Sequence, residues 1–164
     1  MTSRAFIDTN VLVYSIDKHS PAKRRRAREI LRAIGKRGSA ALSTQVIQEF
    51  YVAATGRLGA DALETKEMIG NMPPLDVVVV DLPLIKEAID CHLLNRLSFW
   101  DALIVVTAEK ANCDVLFTED LNHGQVIRGV RIENPFKGLK ATGRGRVKER
   151  RGAYHARTRR KKTR

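Results

Sequence analysis

FIDTNVLVYS, residues 6–15, passes from strand to helix across a single acidic residue. Ala5, Phe6 and Ile7 form a short apolar run, and Asp8-Thr9-Asn10 follows at once with residue types that open helices. A matching junction lies far along the chain in DVLFTED, residues 114–120, where Val115, Leu116 and Phe117 run into Thr118-Glu119-Asp120. Short apolar strands ending on acids suit an open α/β sheet, whose ligand crevice lies beyond the carboxyl ends of its parallel strands. Carboxylates crowded into such a crevice repel one another unless a cation lies between them. Hard oxygen ligands of this kind suit Mg²⁺ or Mn²⁺. The pattern reads as a metal site for phosphate chemistry.

Between the two junctions the chain alternates strand and helix signals, which predicts an α/β fold with parallel crossovers. Ser20-Pro21 opens a helix over about 21–36, with Ala27, Ile30, Leu31 and Ile34 at helical spacing. Gly35 and Gly38 bracket its end. Ala40 to Leu42 read as a short strand, and Ser43 caps a helix through about Thr55. Asp61 caps the next helix, which stops before Pro73-Pro74. Val77 to Val80 is continuously apolar, which predicts a strand buried on both faces. Helices over about 83–95 and 99–111 follow, then strands at 115–118 and 130–132.

Composition bounds the function. The 164 residues, 43% hydrophobic, are enough for one domain with a real core. Cys91 and Cys113 are the only cysteines, which gives no disulfide framework and fits a reducing cytoplasm. The N-terminal apolar stretch is interrupted by Asp8 and followed by Asp17 and Lys18, which fits neither a secretion signal nor a membrane span. The net charge of +12 is concentrated at one end. Residues 140–164 hold twelve Lys or Arg and one acid, whereas residues 1–139 hold 18 basic and 17 acidic residues. The expected organisation is therefore a near-neutral domain over 1–139 and a basic arm over 140–164. With few core-forming side chains, the arm is expected to be disordered.

Two further acids join the pair at the strand ends, and each of the four also has an ordinary structural reading. Asp8 is placed to cap a helix. Glu49, in STQVIQEFYV, lies about 60° outside the apolar arc at Val46, at the border of core and solvent. Asp101 begins a helix that is apolar on almost every face, where an ionised carboxylate needs a partner. Ser98-Phe99-Trp100-Asp101 equally fits a capping box, with Asp101 reaching back to the Ser98 amide. Asp120 suits a turn after a strand, and His123 reads as a loop residue. Asn10, Thr118 and Glu119 stand where they would support the acids from behind. Zinc fits poorly, because Cys91, His92, Cys113 and His123 lack the usual spacing. Phosphate-binding and dinucleotide-binding glycine loops are absent.

The strings FIDTNVLVYS, STQVIQEFYV, LSFWDALIV and LFTEDLNHG, in that order, resemble the PIN-domain family over about residues 4–136. Within it they are most similar to the VapC-like ribonuclease toxins of toxin–antitoxin pairs. The resemblance implies a three-layer α/β/α fold around a central parallel sheet. It implies Mg²⁺- or Mn²⁺-dependent endoribonuclease activity, a cognate antitoxin and a homodimer. It also implies that Asp8, Glu49, Asp101 and Asp120 are the catalytic and metal-binding acids, with Thr118 similar to the family's frequent Ser or Thr there. Metal-activated water would then attack the phosphate in line, leaving 5′-phosphate and 3′-hydroxyl ends. His123 stands where the family often has a further acid, and the basic arm lies outside the common pattern.

RNA contacts are expected from Arg24, Arg25, Arg28 and Arg32 of the 21–36 helix and from Arg150 and Arg151 of the arm, against the plain reading of a solvated face. Two other enzyme-free or toxin-free readings compete. One is a non-catalytic nucleic-acid- or ribosome-binding protein with a PIN-like body, against which the retention of all four acids counts. The other is an RNA-processing nuclease with no toxin role. A receiver-like protein phosphorylated on Asp8 is disfavoured, because Asn10 stands where a second acid is expected.

Overall fold

Strand β1 (Ala5–Ile7) lies parallel to β4 (Val115–Phe117), with Ala5 opposite Val115 and Ile7 opposite Phe117. This pair is the centre of the computed structural model, which describes residues 3–37 and 39–139. Phe6, Ile7 and Leu116 are fully buried, as expected of strands covered on both faces. On one side β1 pairs with β2 (Ala40–Ser43), and β2 pairs with β3 (Asp76–Val78), both in parallel. On the other side β4 pairs in parallel with β6 (Val130–Glu133), beyond which lies β5 (Val126–Ile127), giving the order β3-β2-β1-β4-β6-β5. Chain order reverses between β1 and β4. That is the switch point at which the carboxyl ends of an open α/β sheet leave a crevice.

The last pairing differs from the expected parallel sheet. β5 (Val126–Ile127) is antiparallel to β6, so the sheet is mixed and mostly parallel. Arg128 and Gly129 join the two strands at φ 52° and 81°. Two central residues with positive φ make the tight turn whose twist suits a hairpin. Glycine takes that conformation freely. Arg128 is held in it by ion pairs to Glu87 and Glu109.

Six α-helices among the described residues flank the sheet. α1 (Thr9–Ile16) follows Asp8 directly, and α2 (Pro21–Arg37) runs past Gly35, which is a helical residue rather than a stop. Gly38 lies outside the described residues. α3 (Thr44–Val52) is capped by the Ser43 hydroxyl, which accepts from the Val46 amide at 3.2 Å, and it widens into a π-helical turn over Ala53–Arg57. α4 (Ala62–Gly70) is capped by Asp61, α5 (Leu82–Asn95) by Asp81 and α6 (Phe99–Lys110) by Ser98. α1 packs on α2 and α3, α5 packs on α6, and α6 lies over β2, β4 and β6. All seven residues from Ala102 to Ala108 are buried, so α6 is the core helix its composition suggests.

β3 corrects a second expectation. The strand ends at Val78, and Val77 and Val79 are 48% and 65% exposed, because β3 lies at the edge of the sheet. A continuous valine run signals a strand but does not say how many faces are covered. No helix among the described residues is long and apolar enough to cross a membrane.

Cys91 and Cys113 are buried free thiols. Burial pushes Cys113 up to about 11, against the lowering influence of the neighbouring Arg4, and burial also raises Cys91. Both thiols should therefore resist alkylation in the native protein at neutral pH and react promptly in denaturant. For Cys113 the folded value lies above its ordinary 9.0, so its stabilising share is complete below pH 9 and declines as the pH rises toward 11. Urea midpoints across that interval measure the decline, and rapid native labelling would contradict it.

Candidate functional site

The β1–β4 register brings Asp8 and Thr118 together, one residue beyond each strand. Asp8 donates its amide to the Phe117 carbonyl at 3.1 Å, which extends the ladder by one rung. Its side chain then caps α1, accepting from the Thr9 amide at 2.7 Å. A helix N-terminus favours an anion there. Asp8 is 1% exposed, and its second oxygen accepts from the Thr118 hydroxyl at 2.7 Å and from Asn10 Nδ2 at 3.2 Å.

Thr118 and Asn10 tie this carboxylate to Asp120. The Thr118 hydroxyl accepts from the Asp120 amide at 3.1 Å and from Asn10 Nδ2 at 3.2 Å, while donating to Asp8. One donated and two accepted bonds use the full capacity of a hydroxyl. Asn10 Nδ2 also lies 3.2 Å from Asp120 Oδ2. It thus faces three acceptors with two hydrogens, so one of these contacts is shared. Asn10 and Thr118 are 3% and 1% exposed, whereas Asp120 is exposed at the mouth.

Glu49, on α3, joins from the other side. Its oxygens accept from the Thr9 hydroxyl at 2.9 Å and from Gln45 Nε2 at 2.8 Å. Thr9 therefore links two acids, its amide to Asp8 and its hydroxyl to Glu49. Asp101, in the first turn of α6, is half-buried. The Ser98 hydroxyl accepts from the Asp101 amide at 3.1 Å and donates to Asp101 Oδ2 at 2.6 Å. The capping interaction is thus made through the serine side chain, where the sequence suggests the Ser98 amide.

Asp8, Glu49 and Asp120 form one hydrogen-bonded constellation, and Asp101 is bonded to Ser98 at the start of α6. Among the described residues, no three acids, histidines or cysteines converge in a geometry that would hold an ion. The donor chemistry nonetheless suits a hard cation. Carboxylates supply the oxygens, and buried Asn10 Oδ1 finds no partner among the described residues. A buried acceptor with no donor, set beside two carboxylates, is where a hydrated cation improves the balance.

The other predicted residues are scattered. Glu119 faces away from Asn10, pairing with Lys23 at 2.6 Å and accepting from the Tyr14 hydroxyl. His123 is exposed and accepts from the Asn134 amide at 3.1 Å. Arg25, Arg28 and Arg32 are exposed, Arg24 is half-buried, and Arg28 donates to the Ser15 carbonyl at 2.8 Å. Arg150 and Arg151 lie outside the described residues, as does the whole basic arm. Sequence reasoning missed Thr9, whose hydroxyl contact the strand-to-helix pattern does not show. It also missed Lys23, which nothing distinguishes from the arginines that follow it. A groove of about 490 Å³ contains none of the four acids; Leu12, Phe50, Met68 and Pro73 line it, with Glu64 and Glu67.

A family model described as PIN domain matches residues 5–128. Solved structures similar to this chain include a toxin–antitoxin complex from Klebsiella pneumoniae, at 21% identity and a TM-score of 0.61 over 80% of this chain and 97% of that one. Another is VapC20 of Mycobacterium tuberculosis, described as a sarcin–ricin loop cleaving toxin, at 20% identity and 0.58 over 71% and 89%. A third is DNA-bound VapBC from Salmonella typhimurium, at 20% and 0.58 over 82% and 99%. At these identities the likeness is one of fold. A search of curated proteins by sequence gives no match.

The Thr118 hydroxyl is the hub of the network, and Thr118→Val keeps its shape while removing one donor and two acceptors. Losing a buried hydrogen bond to a charged group costs about 1.5–3 kcal/mol. The variant should therefore unfold at lower urea, and an unchanged midpoint would show that the network contributes little.

Proposed function

This chain belongs to the PIN-domain family, and from that premise we propose that it is a metal-dependent endoribonuclease acting as the toxin of a toxin–antitoxin pair. One observation carries the reading. The acids at the ends of β1 and β4 and the acid on α3 share a hydrogen-bonded network at the sheet's switch point. Asp8, Asp101 and Asp120 would hold Mg²⁺ or Mn²⁺, with Glu49 completing the set. When bound, such a cation neutralises phosphate charge and makes a water acidic enough to supply hydroxide near neutral pH.

The chain's own groups do the rest. Asn10 and Thr118 hold Asp8 and Asp120 with neutral donors, so the two carboxylates stay close. Thr9 and Gln45 fix both oxygens of Glu49. Asp8 caps α1, and α6 carries Asp101 in its first turn. Rigid strands and helices, rather than loops, carry three of the four acids or their immediate neighbours. Such placement limits the reorganisation needed when charge develops on the phosphate.

The proposed partners are RNA, a cognate antitoxin and a second copy of the chain. The toxin–antitoxin complexes among the similar folds support an antitoxin partner. For the second copy, Leu82, Ile89 and Leu93 lie along one face of α5 and are 63%, 44% and 68% exposed. An apolar stripe of that kind suits a partner surface. A cytoplasmic location and the domain division at residue 139 belong to the same reading.

Asp8→Asn and Asp101→Asn should each abolish Mg²⁺-dependent RNA cleavage in a protein that remains folded. Expression of residues 1–139 in a bacterium should arrest growth, with Glu49→Gln or Asp120→Asn relieving the arrest. Full cleavage by folded Asp101→Asn would remove that residue from the site, and harmless expression of an active enzyme would favour RNA processing. A non-catalytic binding protein would show no cleavage in any form.

The arm is proposed to raise local RNA concentration through phosphate contacts. Its net charge of +11 over 25 residues suits counterion release. Deleting residues 140–164 should weaken RNA binding at low salt and flatten its salt dependence, while single-turnover cleavage of a short saturating substrate changes little. Equal affinity and salt slope with and without the arm would exclude it as an RNA-binding element.

A further inference from the structure

We propose that Lys23, acting through Glu119 and Tyr14, is a positioning residue that holds the Asp120 loop in its metal-binding arrangement. The inference rests on the metal-dependent reading given above. Four separate pieces of chain meet at this point: Tyr14 of α1, Lys23 of α2, Glu119 of the β4–β5 connection, and Phe136 beyond β6. Lys23 Nζ donates to Glu119 Oε2 at 2.6 Å and to the Tyr14 hydroxyl at 2.9 Å. The Tyr14 hydroxyl in turn donates to Glu119 Oε1. Both carboxylate oxygens of Glu119 are thereby engaged. Lys23 Nζ also lies 4.2 Å from the centre of the Tyr14 ring and 5.4 Å from that of Phe136, and the two rings meet edge to face at 4.9 Å.

This arrangement differs from a surface ion pair. Exposed pairs contribute little, because two long side chains must be ordered in a screened medium. Here the side chains are only 30% and 21% exposed, and the ammonium is restrained by a carboxylate, a hydroxyl and two ring faces. Glu119 adjoins Asp120 in the chain. The segment is fixed on its inner side by Thr118, whose amide donates to the Glu133 carbonyl at 3.0 Å and whose hydroxyl reaches Asp8. Lys23 and Tyr14 fix it on the outer side. Asp120 follows the two anchored residues, Thr118 and Glu119, directly in the chain.

Charge gives Lys23 a second task. Without it, Glu119 is an uncompensated anion next to Asp120, close to Asp8. Lys23 neutralises the one acid of this loop that faces away from Asn10. Partners behind a ligand typically change metal affinity by about 10–100-fold when removed.

The test is direct Mn²⁺ binding to the full chain by titration calorimetry, without RNA. Unaltered protein should bind Mn²⁺, and Asp8→Asn should abolish binding. Lys23→Met and Glu119→Gln should each weaken binding roughly 10-fold or more, as expected for an outer support. The double variant should be no worse than the weaker single, because both changes break one device. Tyr14→Phe should weaken binding in the same direction, and together with Glu119→Gln it carries the test if Lys23→Met fails to fold. Affinities of all folded single variants within about two-fold of the unaltered chain would overturn the proposal, since a structural ion pair alone would not move this readout. Additive losses from Lys23→Met and Glu119→Gln would overturn it too, by showing that Lys23 acts independently of Glu119. Absence of Asp8-dependent Mn²⁺ binding in the unaltered chain would instead overturn the underlying metal reading.

Discussion

The parallel pairing of β1 with β4 is the constraint from which the site follows. With Ile7 opposite Phe117, the next residues are Asp8 and Thr118, and the ladder continues through the Asp8 amide to the Phe117 carbonyl. A shift of one residue would turn the side chains of either strand to the other face. It would also separate the Thr118 hydroxyl from Asp8. Full burial of Phe6, Ile7 and Leu116 opposes such a shift, so apolar packing fixes a polar geometry a few ångströms away.

Holding acids close together is electrostatically costly, and the molecule offsets the cost with neutral donors. Thr9, Asn10, Gln45 and Thr118 supply hydrogen bonds to Asp8, Glu49 and Asp120 without introducing fixed positive charge among them. A lysine or arginine at those positions would satisfy the carboxylates more strongly and would compete with any cation for them. Lys23 adds positive charge at Glu119, the neighbour of Asp120 in the chain. This division suits acids that must remain ionised and close, yet still accept a metal.

Several features of the fold were legible because they depend on neighbours along the chain. Asp8, Ser43, Asp61 and Ser98 mark helix starts, and each cap is made by the expected side chain. The burial of α6 follows from the unbroken run Ala102 to Ala108. The β5–β6 hairpin was not legible. Arg128-Gly129 is a weak turn signal, and ion pairs to Glu87 and Glu109, remote in sequence, help to hold Arg128 at positive φ. The exposure of Val77 and Val79 was equally hidden, because edge position depends on which strands pair elsewhere.

The sequence by itself determined the identity and order of the acids, the strand-to-helix junctions that carry them, and the separation of a near-neutral body from a basic arm. These are matters of composition and local pattern, and they were enough to suggest a PIN-like α/β domain. The tertiary structure decided which polar groups meet. It linked Asp8 to Asp120 through Asn10 and Thr118, more than 100 positions apart, and brought Glu49 to Thr9. It also selected Lys23 from a run of similar cations by setting it against Glu119 and two aromatic rings. Hydrogen bonds and ion pairs act over about 3 Å, so spacing along the chain cannot specify them until the sheet has brought their donors and acceptors within reach.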